Sequence, residues 1–390
     1  MTDARRAWAY LSRVVEQPCL ELNALVTRVG PDDAADRVRT GAVSGELARR
    51  TEVRREFDCT AEDLDRLDRA GGRLITPLHD EWPVIPFTSF SGVDLRRHPA
   101  GVAPLALWAI GDARLDEIAS RAAAVVGTRA ATTYGEQVTA ELSAGLSERN
   151  VTVVSGGAYG IDGAAHRSAL AEDGCTVAVL AGGPDRAYPA GHSALLHRIR
   201  RSGLVVSEYP PGVTPARHRF LVRNRLVAAL AGATVVVEAG LRSGAANTAA
   251  WARALGRVVC AVPGPVTSSA SAGCHELIRG GAQLVTRADE IVEIVGRVGE
   301  LADEPAHPSS PLDELSEVAK RVFEALPGRG VRSADELSIE SGLPVAQLQG
   351  QLALLEIAGL AVRDEGRWRL GRPRAASTRL PSGVKSTQRS

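Results

Sequence analysis

The residues best suited to chemistry in this chain lie together in one nonapeptide, Arg217-His218-Arg219-Phe220-Leu221-Val222-Arg223-Asn224-Arg225, with four arginines around one phenylalanine. Guanidinium groups match phosphate with paired donors, and an aromatic face is a stacking platform for an unpaired base. The same run also fits the solvated start of an ordinary helix, so it does not decide by itself. Other chemistries find little to use. The two lysines, Lys320 and Lys385, stand in no Gly-Lys-Ser/Thr step, which excludes a Walker A ATPase. The dinucleotide fingerprint is missing where the chain reads Val126-Gly127-Thr128-Arg129-Ala130-Ala131, which argues against a nicotinamide enzyme. There is no Gly-x-Ser-x-Gly elbow and no His-Glu-x-x-His, and the eight histidines show no ligand spacing. No cofactor, no metal and no catalytic residue is expected.

Composition bounds the rest. A chain of 390 residues has room for two or three domains, and 44% hydrophobic with 24% charged residues is ordinary for a globular protein. The formal net charge is zero, so polyanion binding must come from a local patch. Aromatic residues make up only 4%, which makes each exposed one more informative. The five cysteines are scattered and odd in number, as free thiols in a reducing compartment would be. With no signal peptide and no apolar run of about 18 residues, a soluble, cytoplasmic protein without membrane contact is expected.

The elements that must position the arginines follow from periodicity. Residues 1–72 are helical and charged, broken at Val29-Gly30-Pro31, and read as a small domain of helix–hairpin–helix or SAM-like type. Residues 73–115, rich in Pro and Trp, read as extended lead-in segments. From there, short apolar runs at 123–126, 151–155, 176–180, 204–207, 234–238, 258–262 and 283–285 alternate with helical patterning. That alternation predicts a doubly wound, Rossmann-like parallel sheet in an α/β domain over 73–298. Ligands in such sheets bind beyond the carboxyl ends of the strands. The residues standing there include Gly127-Thr128-Arg129, Gly156-Gly157-Ala158-Tyr159-Gly160 and Arg242-Ser243-Gly244. The glycines Gly127, Gly156, Gly157 and Gly160 read as loop-shaping. Asp162 and His166, one helical turn apart, read as a buried polar pair fixing the loop rather than as acid–base catalysts. Ser243 fits a helix N-cap.

These blocks resemble those of the DNA-processing protein A family (DprA/Smf). The similarity is carried in order over 73–295 by Val126-Gly127-Thr128-Arg129, Ser155-Gly156-Gly157-Ala158-Tyr159-Gly160-Ile161-Asp162, Tyr188-Pro189, Ser207-Glu208, Phe220 with Arg223-Asn224-Arg225, Ser243-Gly244 and Pro263-Gly264. The resemblance implies a non-enzymatic single-stranded DNA-binding protein that loads the RecA recombinase during natural transformation. It also implies a DNA groove of Arg129, Arg217, Phe220, Arg223, Asn224, Arg225, Arg242, Ser243 and Gly244, and a homodimer through His275, Ile278 and Leu284. Two positions depart from the family pattern: Ala190 follows Tyr188-Pro189 in place of a basic residue, and His275 replaces a common Asn. A nucleotide-binding phosphoribohydrolase-like enzyme is the alternative, because Rossmann-like strand ends can hold one nucleotide. Gly240-Leu241-Arg242-Ser243-Gly244 is a loose echo of the glycine-rich block such hydrolases use.

Beyond the sheet, residues 299–311 form a Pro/Ser-rich linker. Residues 312–370 read as three helices and a hairpin, similar to a winged-helix domain, with Ser333 and Glu336 as a capping box. The third helix, 345–358, carries no Lys or Arg, which favours a protein contact over DNA insertion. Residues 371–390 hold five basic and no acidic residues and read as a disordered basic tail.

Overall fold

The computed structural model describes residues 2–297, 299–302 and 315–371. Residues 303–311 of the expected linker, 312–314 of the expected winged-helix segment and all of the expected basic tail beyond Gly371 lie outside the described residues. The chain divides into two compact units, residues 1–303 and 304–390.

Unit one is built on a nine-stranded sheet. Its strands are β1 (Gly72–Ile75), β2 (Leu107–Ile110), β3 (Ala122–Val126), β4 (Thr152–Ser155), β5 (Thr176–Leu180), β6 (Leu204–Ser207), β7 (Ala233–Val236), β8 (Val258–Ala261) and β9 (Gln283–Leu284), in the order β1-β2-β6-β5-β4-β3-β7-β8-β9. Strands β3 to β9 are parallel, while β2 pairs antiparallel with β6 and β1 with β2. All seven expected strands are present. The two extra ones fall within the Pro- and Trp-rich stretch, where prolines interrupt the alternation that marks a strand. Successive residues of β3 feed opposite faces: Ala122, Ala124 and Val126 pack into one apolar core and Ala123 and Val125 into the other. Burial on both faces is why the strand reads as an unbroken apolar run.

The order fixes where a ligand fits. From β3 the chain winds outward through β4, β5 and β6, then returns to lay β7 on the other side of β3. The topological switch point therefore lies beyond the carboxyl ends of β3 and β7.

Five helices, Thr2–Val14, Leu20–Val29, Pro31–Arg39, Gly45–Glu52 and Thr60–Arg69, precede the sheet. Gly30, at φ +83°, turns the chain between two of them, and Pro31 opens the next helix at a position where its missing N–H costs nothing. These helices share a core with the sheet, since Trp8, Leu11 and Leu22 pack with Leu74, Trp108 and Ile110. The Trp108 indole N–H donates to Ser12 Oγ at 3.2 Å, and Arg13 bridges Asp63 to the Pro211 carbonyl. The helices are thus part of one packed body with the sheet.

His166 sits in the helix Ile161–Ala171 with no exposed surface. Its Nδ1 lies 2.7 Å from Thr176 Oγ1, so it braces β5 and does not pair with Asp162 as expected. Burial pushes its pKa down to about 3. An unfolded imidazole protonates near pH 6.5, so between those values the unfolded chain binds the extra proton and stability falls as pH falls. His166→Asn removes the titrating group while keeping an amide near Thr176. Urea unfolding from pH 7 to pH 4 should show a shallower acid loss in the variant, by up to about 1.4 kcal/mol per pH unit. An unchanged slope contradicts this assignment.

Unit two holds the helices Glu317–Ala325, Ala334–Ser341 and Val345–Ile357, followed by the hairpin β10 (Ala361–Asp364) and β11 (Arg367–Leu370). Ser333 and Glu336 form the expected capping box, and Glu365 and Gly366 turn the hairpin with φ +46° and +82°. Val322, Leu337, Leu348, Leu352, Leu355 and Trp368 make its core. The third helix leaves Leu354 and Ile357 exposed.

Candidate nucleic-acid interface

The helix Arg217–Ala229 enters the body of the protein as it proceeds, and its four arginines divide accordingly. Arg217 is exposed near the N-terminus. Arg219 reaches sideways and binds Glu16 through Nε at 2.6 Å and Nη2 at 2.9 Å, tying the helix to the N-terminal bundle. Arg223 is buried, with Nη1 donating to the carbonyls of Gly156 (2.7 Å) and Val179. Arg225 is completely buried, and its Nη2 meets both carboxylate oxygens of Glu208 at 2.7 Å, with the guanidinium above Phe90. Arg225 is therefore a core ion pair and not the DNA contact that was expected. Asn224 is also buried and engaged, its amide donating to Gly244 O at 3.3 Å and Asn247 Oδ1 at 3.1 Å. It joins the arginine helix to the following one and offers little surface to a ligand.

What remains faces a cleft of about 730 Å³ at the switch point. Its lining includes Gly127, Thr128 and Arg129 after β3, Arg217, Phe220 and Arg223 on the arginine helix, and Arg242, Ser243 and Gly244 after β7. Arg129, Arg217 and Arg242 are exposed and form no ion pair among the described residues. Phe220 is half-buried, with the Arg129 guanidinium 5.3 Å and that of Arg223 5.9 Å from its ring centroid. Tyr188 lies 5.3 Å from Phe220 in a tilted pair and is 44% exposed. Tyr188 was not among the expected site residues. Its signal was present in a chain so poor in aromatics, but only the fold brings it beside Phe220.

The glycine loops hold this arrangement. A Cβ on Gly156 would lie 2.5 Å from Arg223 Nη1, and one on Gly160 would lie 2.3 Å from the Thr128 carbonyl. Gly157 and Gly160 have φ of +70° and +72°, which side chains other than glycine rarely adopt. Gly127 is closed in by Ile161 and the Glu238 carbonyl. Asp162 fixes the loop as expected, accepting from the N–H groups of Gly156 (3.2 Å) and Ala158 (3.3 Å). Burial pushes its carboxyl pKa up, and the nearby Arg223 charge and these N–H groups pull against that rise. Ser243 caps the helix Gly244–Ala254 by accepting from Ala246 N at 3.2 Å, so its hydroxyl has a structural job.

On the far edge, His275 is half-buried with Nε2 3.0 Å from the Gly264 carbonyl. Ile278 packs partly against the main core, whereas Leu284, on the edge strand β9, is 49% exposed.

Comparison with known proteins agrees with this geometry. The family model described as DNA recombination-mediator protein A matches residues 73–296, more than half of the chain. The chain belongs to that family. A second model, the DprA winged helix domain, matches residues 305–367. The DNA processing protein DprA of Mycobacterium tuberculosis is 68% identical over 365 residues, covering 94% of each chain. Protein Smf of Escherichia coli is 39% identical over 66% of this chain and 69% of its own. The solved DprA structure from Streptococcus pneumoniae matches 75% of this chain and 98% of its own, with a TM-score of 0.60 and 30% identity. Among the described residues, no helix is long and apolar enough to cross a membrane.

Proposed function

We propose that the chain binds single-stranded DNA in the switch-point cleft and acts as a binder rather than an enzyme. The observation that carries this reading is the cleft itself, in which unpaired arginines surround an accessible aromatic pair. A guanidinium can hold a phosphate of any nucleotide, and the Phe220–Tyr188 platform suits a base that is free of its partner. The phosphoribohydrolase alternative needs a free carboxylate. Glu238, which ends β7's run, is buried and accepts from Thr132 N at 2.9 Å and Thr132 Oγ1 at 2.6 Å, and Asp162 is engaged by its loop. Incubation with nucleoside monophosphates should release no free base, while gel shifts should show a complex with single strands. Base release that is lost in an Asp162→Asn variant would favour the hydrolase.

Phe220→Ala should weaken single-strand binding by about 1–3 kcal/mol with little change in salt dependence, because stacking releases no counterions. The check is a titration at several salt concentrations beside a melting curve. A variant that loses thermal stability but not DNA would make Phe220 a core residue.

The family membership further supports a role in loading the RecA recombinase, with natural transformation or recombination as its setting, and a homodimer through the β9 edge. An edge strand carries unpaired backbone groups, and a two-fold pairing would bring two clefts onto one strand. Leu284→Glu is the cleaner probe because Ile278 already packs on its own core. Light scattering should show a folded monomer for the variant against a dimer for the wild type. A wild type that is monomeric at high concentration, or a variant that stays dimeric, overturns the assignment. RecA loading is checked by RecA filament formation on strands coated with single-stranded DNA-binding protein.

A further inference from the structure

The floor of the cleft brings a buried guanidinium beside a helix N-terminus. Arg223 is only 5% exposed, and among the described residues it has no carboxylate within ion-pair distance and no hydrogen-bond partner for its Nε. Burial pulls its pKa down to about 10, with the Arg129 charge adding to the fall and the Asp162 charge offsetting only part of it, so at neutral pH it remains a cation deep in the protein. Such a charge is costly unless an anion meets it. The helix Gly244–Ala254 opens into the same cleft. Ser243 satisfies only the N–H of Ala246, leaving those of Gly244 and Ala245 without a partner among the described residues. A Cβ on Gly244 would meet no atom within 4 Å, so a ligand can approach that backbone closely. Arg129 and Arg242 stand at the rim.

We propose that this floor is a discrete site for a terminal phosphate monoester, so that the protein prefers strands bearing a phosphorylated end; the inference rests on the single-stranded DNA reading above. An internal phosphodiester presents two free oxygens and one charge. A terminal monoester presents three oxygens and about −1.5 to −2 charges at neutral pH. The monoester brings a third oxygen and the larger charge to the Arg223 guanidinium, the helix N-terminus and a rim arginine together. Asp162 lines the same cleft, but its carboxylate is turned to backbone N–H groups and leaves the Arg223 Nε unmet.

The test uses the full chain and short thymidine oligonucleotides carrying a 5′-hydroxyl, a 5′-phosphate or a 3′-phosphate, read by fluorescence anisotropy. One of the phosphorylated forms should bind about tenfold tighter or more than the form without a terminal phosphate, the gain of one further charge-assisted contact. Which form gains tells which strand end enters. Thymidine monophosphate should displace the oligonucleotide at concentrations where thymidine does not. Arg223→Gln would loosen the Gly156 loop and is not a clean probe. Gly244→Asp is one, because an acidic residue suits a helix N-terminus and the space is open, yet it repels a dianion. It should keep the wild-type melting temperature, weaken binding of all three oligonucleotides and abolish the difference between them. Equal binding of all three by the wild type overturns the inference while leaving single-strand binding intact, as does a preference that survives Gly244→Asp. Binding of none overturns the proposed function and this inference with it.

Discussion

Arg225→Ala should destabilise unit one by about 3–5 kcal/mol, because it leaves the Glu208 carboxylate buried without its partner. Glu208 is 2% exposed, and both of its oxygens are held by Arg225 Nη2. The midpoint of urea unfolding measures the effect. Replacing both partners with apolar residues of similar volume, Arg225→Met with Glu208→Leu, should recover most of the loss, since the cost lies in the orphaned charge. Single-stranded DNA affinity of the refolded double variant should match the wild type. An Arg225→Ala protein as stable as the wild type but poor at binding DNA would return Arg225 to the cleft.

Arg129→Ala should do the opposite. Arg129 is exposed and forms no ion pair among the described residues, so its removal should change stability by no more than about 0.5 kcal/mol. Single-strand affinity should fall about tenfold to a hundredfold, as expected for one charge-assisted phosphate contact of about 1.5–3 kcal/mol. The loss should be the same for all sequences, and the slope of log affinity against log salt should shrink by about 0.7. Salt-dependent anisotropy titrations of both proteins give the slope. An unchanged slope in a folded variant removes Arg129 from the phosphate contacts.

The contrast between these two arginines shows what could be read from the sequence. The parallel strands were legible because burial on both faces leaves apolar runs such as Val177 to Leu180 with no polar interruption. Glycines at the strand ends were legible for a related reason: Gly156 and Gly160 are where backbone and guanidinium come too close for a Cβ. Within the arginine run, however, Arg217, Arg219, Arg223 and Arg225 are chemically identical letters. Their fates depend on how deep each helical position lies and on partners such as Glu16, 203 residues from Arg219, and Glu208, 17 residues from Arg225. Likewise β1 and β2 join the sheet by long-range antiparallel pairing that local pattern does not encode, and prolines obscured what alternation they had. Tyr188 becomes part of the platform only because the fold brings the loop after β5 beside the first turn of the arginine helix.

Photo-crosslinking of bromodeoxyuridine-substituted single strands to the full chain, with the adducts mapped by mass spectrometry, tests the cleft as the binding site most directly. Adducts on Phe220 or Tyr188, lost in competition with unlabelled single strands and much less with duplex, are the predicted result. Adducts confined to the N-terminal helices or the winged-helix unit, with none on the cleft aromatics, would contradict it.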